Sequence, residues 1–164
     1  MQERLTVEQV KTAIRQFWTI FCSKDSRKLM RFYAGHATVF NSSSNRHELG
    51  PMSAARRQRE YFHGNASVSV QLGPIEVTVL GEHGESAVAS YTFEFHATNV
   101  ATLSGAIEEN IQHGRATQVF SRDVEGGLII MHEHLSLPAR VERRSDHANG
   151  YFADRPVATS SRAR

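Results

Sequence analysis

A chain of 164 residues with 40% apolar content is long enough for one domain with its own core, and a charged fraction of 22% is ordinary for a globular protein. The formal net charge is +2, and its excess sits in residues 139–164, where six Arg face only Glu142, Asp146 and Asp154; the near-neutral remainder carries no nucleic-acid footprint. The single Cys22 excludes a disulfide framework within the chain, and no run approaches the roughly 20 apolar residues that span a bilayer, so the expectation is a cytoplasmic protein without a membrane partner.

Thr6 and Gln9 stand in capping-box spacing, and Val7, Val10, Ile14, Phe17, Trp18 and Phe21 recur at helical intervals, which predicts an amphipathic first helix of about four turns. Asp25 caps a second, short helix reaching about Tyr33, and Ala37 to Phe40 reads as a strand. After a polar Ser/Asn loop, Gly50-Pro51 opens a third helix to about Phe62, Pro being tolerated where its missing N–H is not needed. The Arg56-Arg57-Gln58-Arg59-Glu60 run on it reads as a solvated, ion-paired face.

From Val68 the apolar period changes to two: Val68, Val70, Leu72; Ile75, Val77, Val79; Ala87, Ala89, Tyr91, Phe93, Phe95. Two further strands, about Glu109–Arg122 and Leu128–Leu137, flank Glu125-Gly126-Gly127, whose glycines suit a hairpin turn. After Pro138 periodicity stops and the composition turns to Arg, Ser, Asp and Ala, so residues 139–164 read as a polar tail with Tyr151 and Phe152 as a docking point, following a domain over 1–138. Helices first and strands afterwards predict an α+β fold in which a curved antiparallel sheet wraps around three N-terminal helices.

Gly114-Arg115-Ala116-Thr117-Gln118-Val119-Phe120-Ser121-Arg122, the glycine turn, and Leu128 to Ser136 together resemble the terminal hairpin of SnoaL-like domains and of the kinase association domain, within the nuclear transport factor 2-like superfamily. In those relatives a Trp often stands where Leu128 is. The resemblance implies a cystatin-like cone with a central pocket, paired through its sheet into a homodimer. It also implies that the Gln118 face is the inner one, since in the kinase association domain an Arg at that position faces a pocket. The superfamily holds isomerases, dehydratases, hydrolases and cyclases beside members with no chemistry, so fold alone does not decide function.

Strand alternation places Ile130, His132, His134 and Ser136 on one face and Met131, Glu133 and Leu135 on the other. His132 and His134 admit three readings: a proton-transfer pair, metal ligands with His96 or His113 as a third, or buried structural groups. The ligand set is incomplete, so the working expectation is chemistry with no metal and no cofactor, His132 and His134 exchanging protons. Tyr91, Gln118 and Ser136 then orient a small, largely apolar organic molecule, and Tyr33, Phe40 and Tyr61 add to a ring-lined wall. Glu94 is the candidate carboxylate base, and Arg115 is expected to pair with Glu94, Glu109 or another carboxylate. The competing expectation is a non-catalytic ligand-binding or assembly module using Met131, Leu135, Val119 and Ile111 at an interface.

Overall fold

The computed structural model describes residues 4–40, 48–63, 67–100 and 107–137. Helix α1 (Val7–Cys22) starts where Thr6 accepts the Gln9 amide while the Gln9 side chain accepts the Thr6 amide. Its 3.6-residue stripe, Val10, Ala13, Ile14, Phe17, Trp18 and Phe21, is wholly buried. Each large side chain of that stripe contributes roughly 1.5–3 kcal/mol by leaving water. Helix α2 (Ser26–Met30) is capped by Asp25 but stops at Met30, and strand β1 (Tyr33–Phe40) begins four residues before the expected start. A two-residue strand β2 (Glu48–Leu49) precedes α3 (Pro51–His63).

Strands β3 (Ser67–Leu80), β4 (Ser86–Val100), β5 (Ile107–Arg122) and β6 (Leu128–Ser136) follow. The two apolar runs at 68–72 and 75–79 belong to one strand, because the register slips between Leu72 and Ile75 and absorbs Gly73-Pro74 there; Pro lacks the ladder N–H and is tolerated at such an irregularity. At the β5–β6 turn the Asp123 side chain accepts the amides of Glu125 and Gly127, and Gly126 supplies the positive φ of 86°.

One six-stranded sheet results, in the order β2-β1-β6-β5-β4-β3. All of its pairings are antiparallel except β1 with β6, which run parallel, so the sheet is mixed at that joint. The long connection through the helices and strands between β1 and β6 makes a parallel neighbour possible where a hairpin would not. The apolar face of α1 packs inside the curve of the sheet, so that Trp18 meets Phe93 and Phe95, and Phe21 meets Phe95 and Phe62, at ring-centroid separations of 5.1–6.1 Å. Gly114 makes room for this cluster, since a Cβ there would lie 2.2 Å from the Phe93 ring. Residues 139–164, with Tyr151 and Phe152, lie outside the described residues.

Candidate active site in the cone

The site grows from the geometry of β6. Phe120 pairs with Ile130 but Val119 pairs with His132, so Met131 is an extra residue on β6 and simple alternation breaks there. Beyond this bulge Glu133 and Leu135 face the core with Ile130, while His132 and His134 face outward. The expected cavity orientation of the two histidines is therefore corrected: they share a face, but it is the outer face of the sheet. There His132 Nδ1 lies 2.6 Å from Thr38 Oγ1, and the half-exposed Phe40 ring leans on both imidazoles. Ser136 is on this side too, opposite Arg115.

Inside the cone, six elements each send one polar side chain to a common centre. These are Trp18 (α1), Tyr33 (β1), Arg57 (α3), Tyr91 (β4), Gln118 (β5) and Glu133 (β6), all buried, with Gln118 and Glu133 at 0% exposure. Donor and acceptor roles are fixed from one end. The indole N–H of Trp18 can only donate, so the Tyr91 oxygen accepts it (2.9 Å) and the Tyr91 hydroxyl donates to Gln118 Oε1 (3.0 Å). Gln118 Nε2 then donates to Glu133 Oε2 (2.7 Å). From the other side Tyr33 donates to Glu133 Oε2 (3.0 Å), while Arg57 donates to Glu133 Oε1 (2.5 Å) and to the Tyr33 oxygen (3.2 Å). Only Arg57 Nε in this set is buried without a partner.

Burial, and then the Glu133 charge, hold the Tyr33 hydroxyl protonated far above its ordinary range, and the same two causes raise Tyr91. For Arg57 burial is the largest single influence and pulls the other way, but the adjacent Glu133 carboxylate and Tyr33 together outweigh it and keep the guanidinium charged. The arrangement thus offers two neutral hydroxyl donors, one fixed cation with a spare N–H, and one carboxylate, in a buried setting where each counts for more than in bulk water. Aromatic rings adjoin it: the Arg57 guanidinium lies 5.9 Å from the Phe21 ring centroid, and Trp18 packs on Phe93 and Phe95.

Three of the expected binding residues, Tyr33, Tyr91 and Gln118, meet at this centre; Phe40 and Ser136 do not, and nothing is described of the Tyr61 side chain. Arg57, Glu133 and Trp18 were not singled out. The reading of residues 56–60 as a solvated face is corrected at Arg57 and Gln58: Arg56 is exposed and pairs with Glu48 and Glu60, but Arg57 enters the core and Gln58 ties the α1 end to α3. The signal was available in helical phase, since both follow the buried Ala54 by three and four residues.

Glu94 lies on the outer face, its carboxylate between His96 Nε2 (2.5 Å) and His113 Nδ1 (3.2 Å), and Arg115 makes no ion pair with it or with Glu109. Among the described residues no group of three or more donors is arranged to hold a metal ion, and no helix is long and apolar enough to cross a membrane. Cys22 is half-buried, its thiol pushed up to about 11 by burial, which favours the neutral thiol over the thiolate.

The family model described as a SnoaL-like domain matches residues 10–140. Among solved structures, a nuclear transport factor 2-like superfamily protein from Salmonella enterica aligns at TM-score 0.65 and 19% identity, covering 86% of this chain and 96% of its own. A candidate scytalone dehydratase from Novosphingobium aromaticivorans gives 0.69 and 9% over 90% and 94%, and a candidate calcium/calmodulin dependent protein kinase II association domain from Xanthomonas campestris gives 0.64 and 15% over 86% and 97%. At these identities the likeness is one of fold. No curated protein matches the chain.

Proposed function

Because the chain belongs to the SnoaL-like domain family, we propose that the cone interior is its working site and that it performs cofactor-free acid–base chemistry, an isomerisation, dehydration or hydrolysis, on a small and largely apolar organic molecule. One observation carries this reading: five buried polar groups from five elements converge, directly or through one another, on the buried carboxylate of a sixth, with one guanidinium N–H left over. An ion pair in a small core is a poor stabiliser, since apolar residues of similar volume do as well or better, so its presence asks for another reason. The candidate dehydratase among the similar folds is in keeping with such chemistry.

In the proposed reaction the apolar body of the substrate takes the place of rings around Trp18. The Tyr33 hydroxyl turns from Glu133 to the substrate, whose carbonyl oxygen accepts from it and from Arg57 Nε; Glu133 takes a proton from the adjacent carbon, the C–H electron pair passes to that oxygen as an enolate, and the proton is returned to another carbon in an isomerisation or leaves with a hydroxyl group as water in a dehydration. Tyr91 and Gln118 hold the carboxylate in line. The roles first given to His132 and His134 pass to Tyr33 and Glu133. Trp18, the only tryptophan, is a built-in reporter: a panel of small hydroxy- and keto-substituted aromatic compounds is screened for a change in its emission together with a rise in Tm. A compound passing both is assayed for turnover, which should fall about 10²- to 10⁴-fold in Tyr33→Phe with the fold retained. If no compound moves Trp18, or Tyr33→Phe turns over at the parental rate, the reading fails.

The second reading, a non-catalytic ligand-binding or assembly module, is favoured by the fact that, Arg57 Nε aside, the network satisfies itself. On that reading a homodimer through the outer sheet face is the functional state, and a concentration-independent monomer in sedimentation would sink it.

A further inference from the structure

The two edges of the sheet are unlike. One is β2, only two residues long; the other is β3, a strand of 14 residues that among the described residues is bonded to β4 alone. A short strand is one of the ways in which proteins blunt an edge, and a bulge or a proline is another. The Gly73-Pro74 irregularity does this for the middle of β3, but Ile75–Leu80 beyond it is regular, with Glu76 as its single charge. On the concave side Ile75, Val77 and Val79 are only partly buried against the core; on the other Glu76 and Thr78 are exposed, and Leu80 is 41% exposed. Unpaired N–H and C=O groups flanked by half-open β-branched side chains are a template for another strand.

The segment is complementary to itself. Run antiparallel against a second copy about a two-fold axis at Val77, it sets Val77 against Val77, Ile75 against Val79 and Glu76 against Thr78, and the exposed Leu80 meets Pro74. Apolar residues then face apolar ones on the concave side, no like charges stand opposite each other, and Pro74, with no N–H to give, bounds the stretch at both ends. Neighbouring registers lack this: an axis at Glu76 opposes the two carboxylates, and one at Thr78 runs Ile75 into the turn that begins at Gly81.

We propose that β3 of one copy pairs with β3 of a second through Pro74–Leu80, joining the two six-stranded sheets into one across the two-fold axis. The contact is isologous, so it closes as a dimer and covers the edge on both copies. It differs from a two-fold contact through the outer sheet face, and it does not depend on the chemistry of the cone. The paired stretch is short, so a weak association is expected, with Kd of about 10–100 µM.

Charges at position 78 read the register in sedimentation velocity. Thr78→Lys places an ammonium opposite Glu76 of the other copy, twice per dimer, and should tighten the association about fivefold relative to the uncharged Thr78→Gln. Thr78→Glu should weaken it about fivefold, and adding Glu76→Lys to Thr78→Glu should restore it. Both positions are exposed, so Tm should stay near parental. Should it fall, Val77→Cys treated with diamide takes the place of the charge series: the axis brings its two thiols together, so a covalent dimer should form, whereas Thr78→Cys, set opposite Glu76, should form none. Val119→Lys, on the outer face of β5 and two strands from β3, should leave the association at the parental level. The proposal is overturned if the parent is monomeric at every concentration, if Lys and Glu at position 78 act alike, if Val77→Cys gives no more covalent dimer than Thr78→Cys, or if Val119→Lys abolishes the association.

Discussion

Arg57→Met isolates the Glu133 carboxylate in the core, and the structure sets the expected cost. Glu133 is fully buried and its remaining partners are neutral, the Tyr33 hydroxyl and the Gln118 amide. Removing one member of such a pair typically costs 3–5 kcal/mol, because a charge stays behind in a medium that cannot solvate it. At roughly 3 °C per kcal/mol for a domain of this size, Tm should drop by about 10–15 °C. Glu133→Gln should cost a similar amount by stranding the guanidinium. The double variant removes both charges and keeps an amide oxygen for Tyr33 and Gln118, so it should lose only about 1–2 kcal/mol, the worth of a hydrogen bond and some packing. Urea denaturation followed by Trp18 emission measures all three. A double variant as damaged as the two singles added together would show that Arg57 and Glu133 are not energetically one unit.

Gly114→Ala should destabilise by about 1–3 kcal/mol, because its methyl group meets the buried Phe93 ring, and adding Phe93→Leu should recover part of the loss in thermal melts. On the outer face the Glu94 carboxylate raises the His96 pKa, followed in smaller measure by Glu109 against some desolvation. A raised folded value means stability that is present below the unfolded histidine value of about 6.5 and lost as pH climbs through the folded one, so His96→Gln should differ from parent in Tm near pH 6 and converge with it near pH 9. His132→Gln with His134→Gln should leave any ligand-induced change in Trp18 emission intact, since both rings stand outside the cone; loss of that response would return them to the site.

The helical stripe of α1 and the period-two runs of β4 and β5 were legible because their apolar residues follow one geometry without interruption. What sequence could not show was non-local. Phe32 and Tyr33 look like the end of an apolar helix stripe, yet the Tyr33 hydroxyl is claimed by Glu133, a hundred residues on. Gln118 was placed inward by resemblance, and its cross-strand partner is Glu133; with that register known, the face of every residue after Met131 follows. Alternation alone kept His132 and His134 on the face of Ile130 and so carried them inward with it, because an extra residue in a strand leaves no mark in composition. Arg57 was misread for a related reason: a charged run looks solvated until a carboxylate on another element is available to it.

The bulge at Met131 also explains why one strand serves two chemistries. Without the extra residue, Ile130 and the two histidines would share a face, and burying Ile130 would carry both imidazoles inward and put Glu133 in solvent. With it, β6 gives the core a carboxylate and an apolar anchor on either side, Ile130 and Leu135, while its titratable histidines remain beside Thr38 and Phe40. Among the described residues the inner face of the sheet thereby carries no imidazole, and Glu133 is its one buried carboxylate. Acid–base work in the cone, as proposed, runs between a carboxylate and a phenol that are hydrogen-bonded to each other.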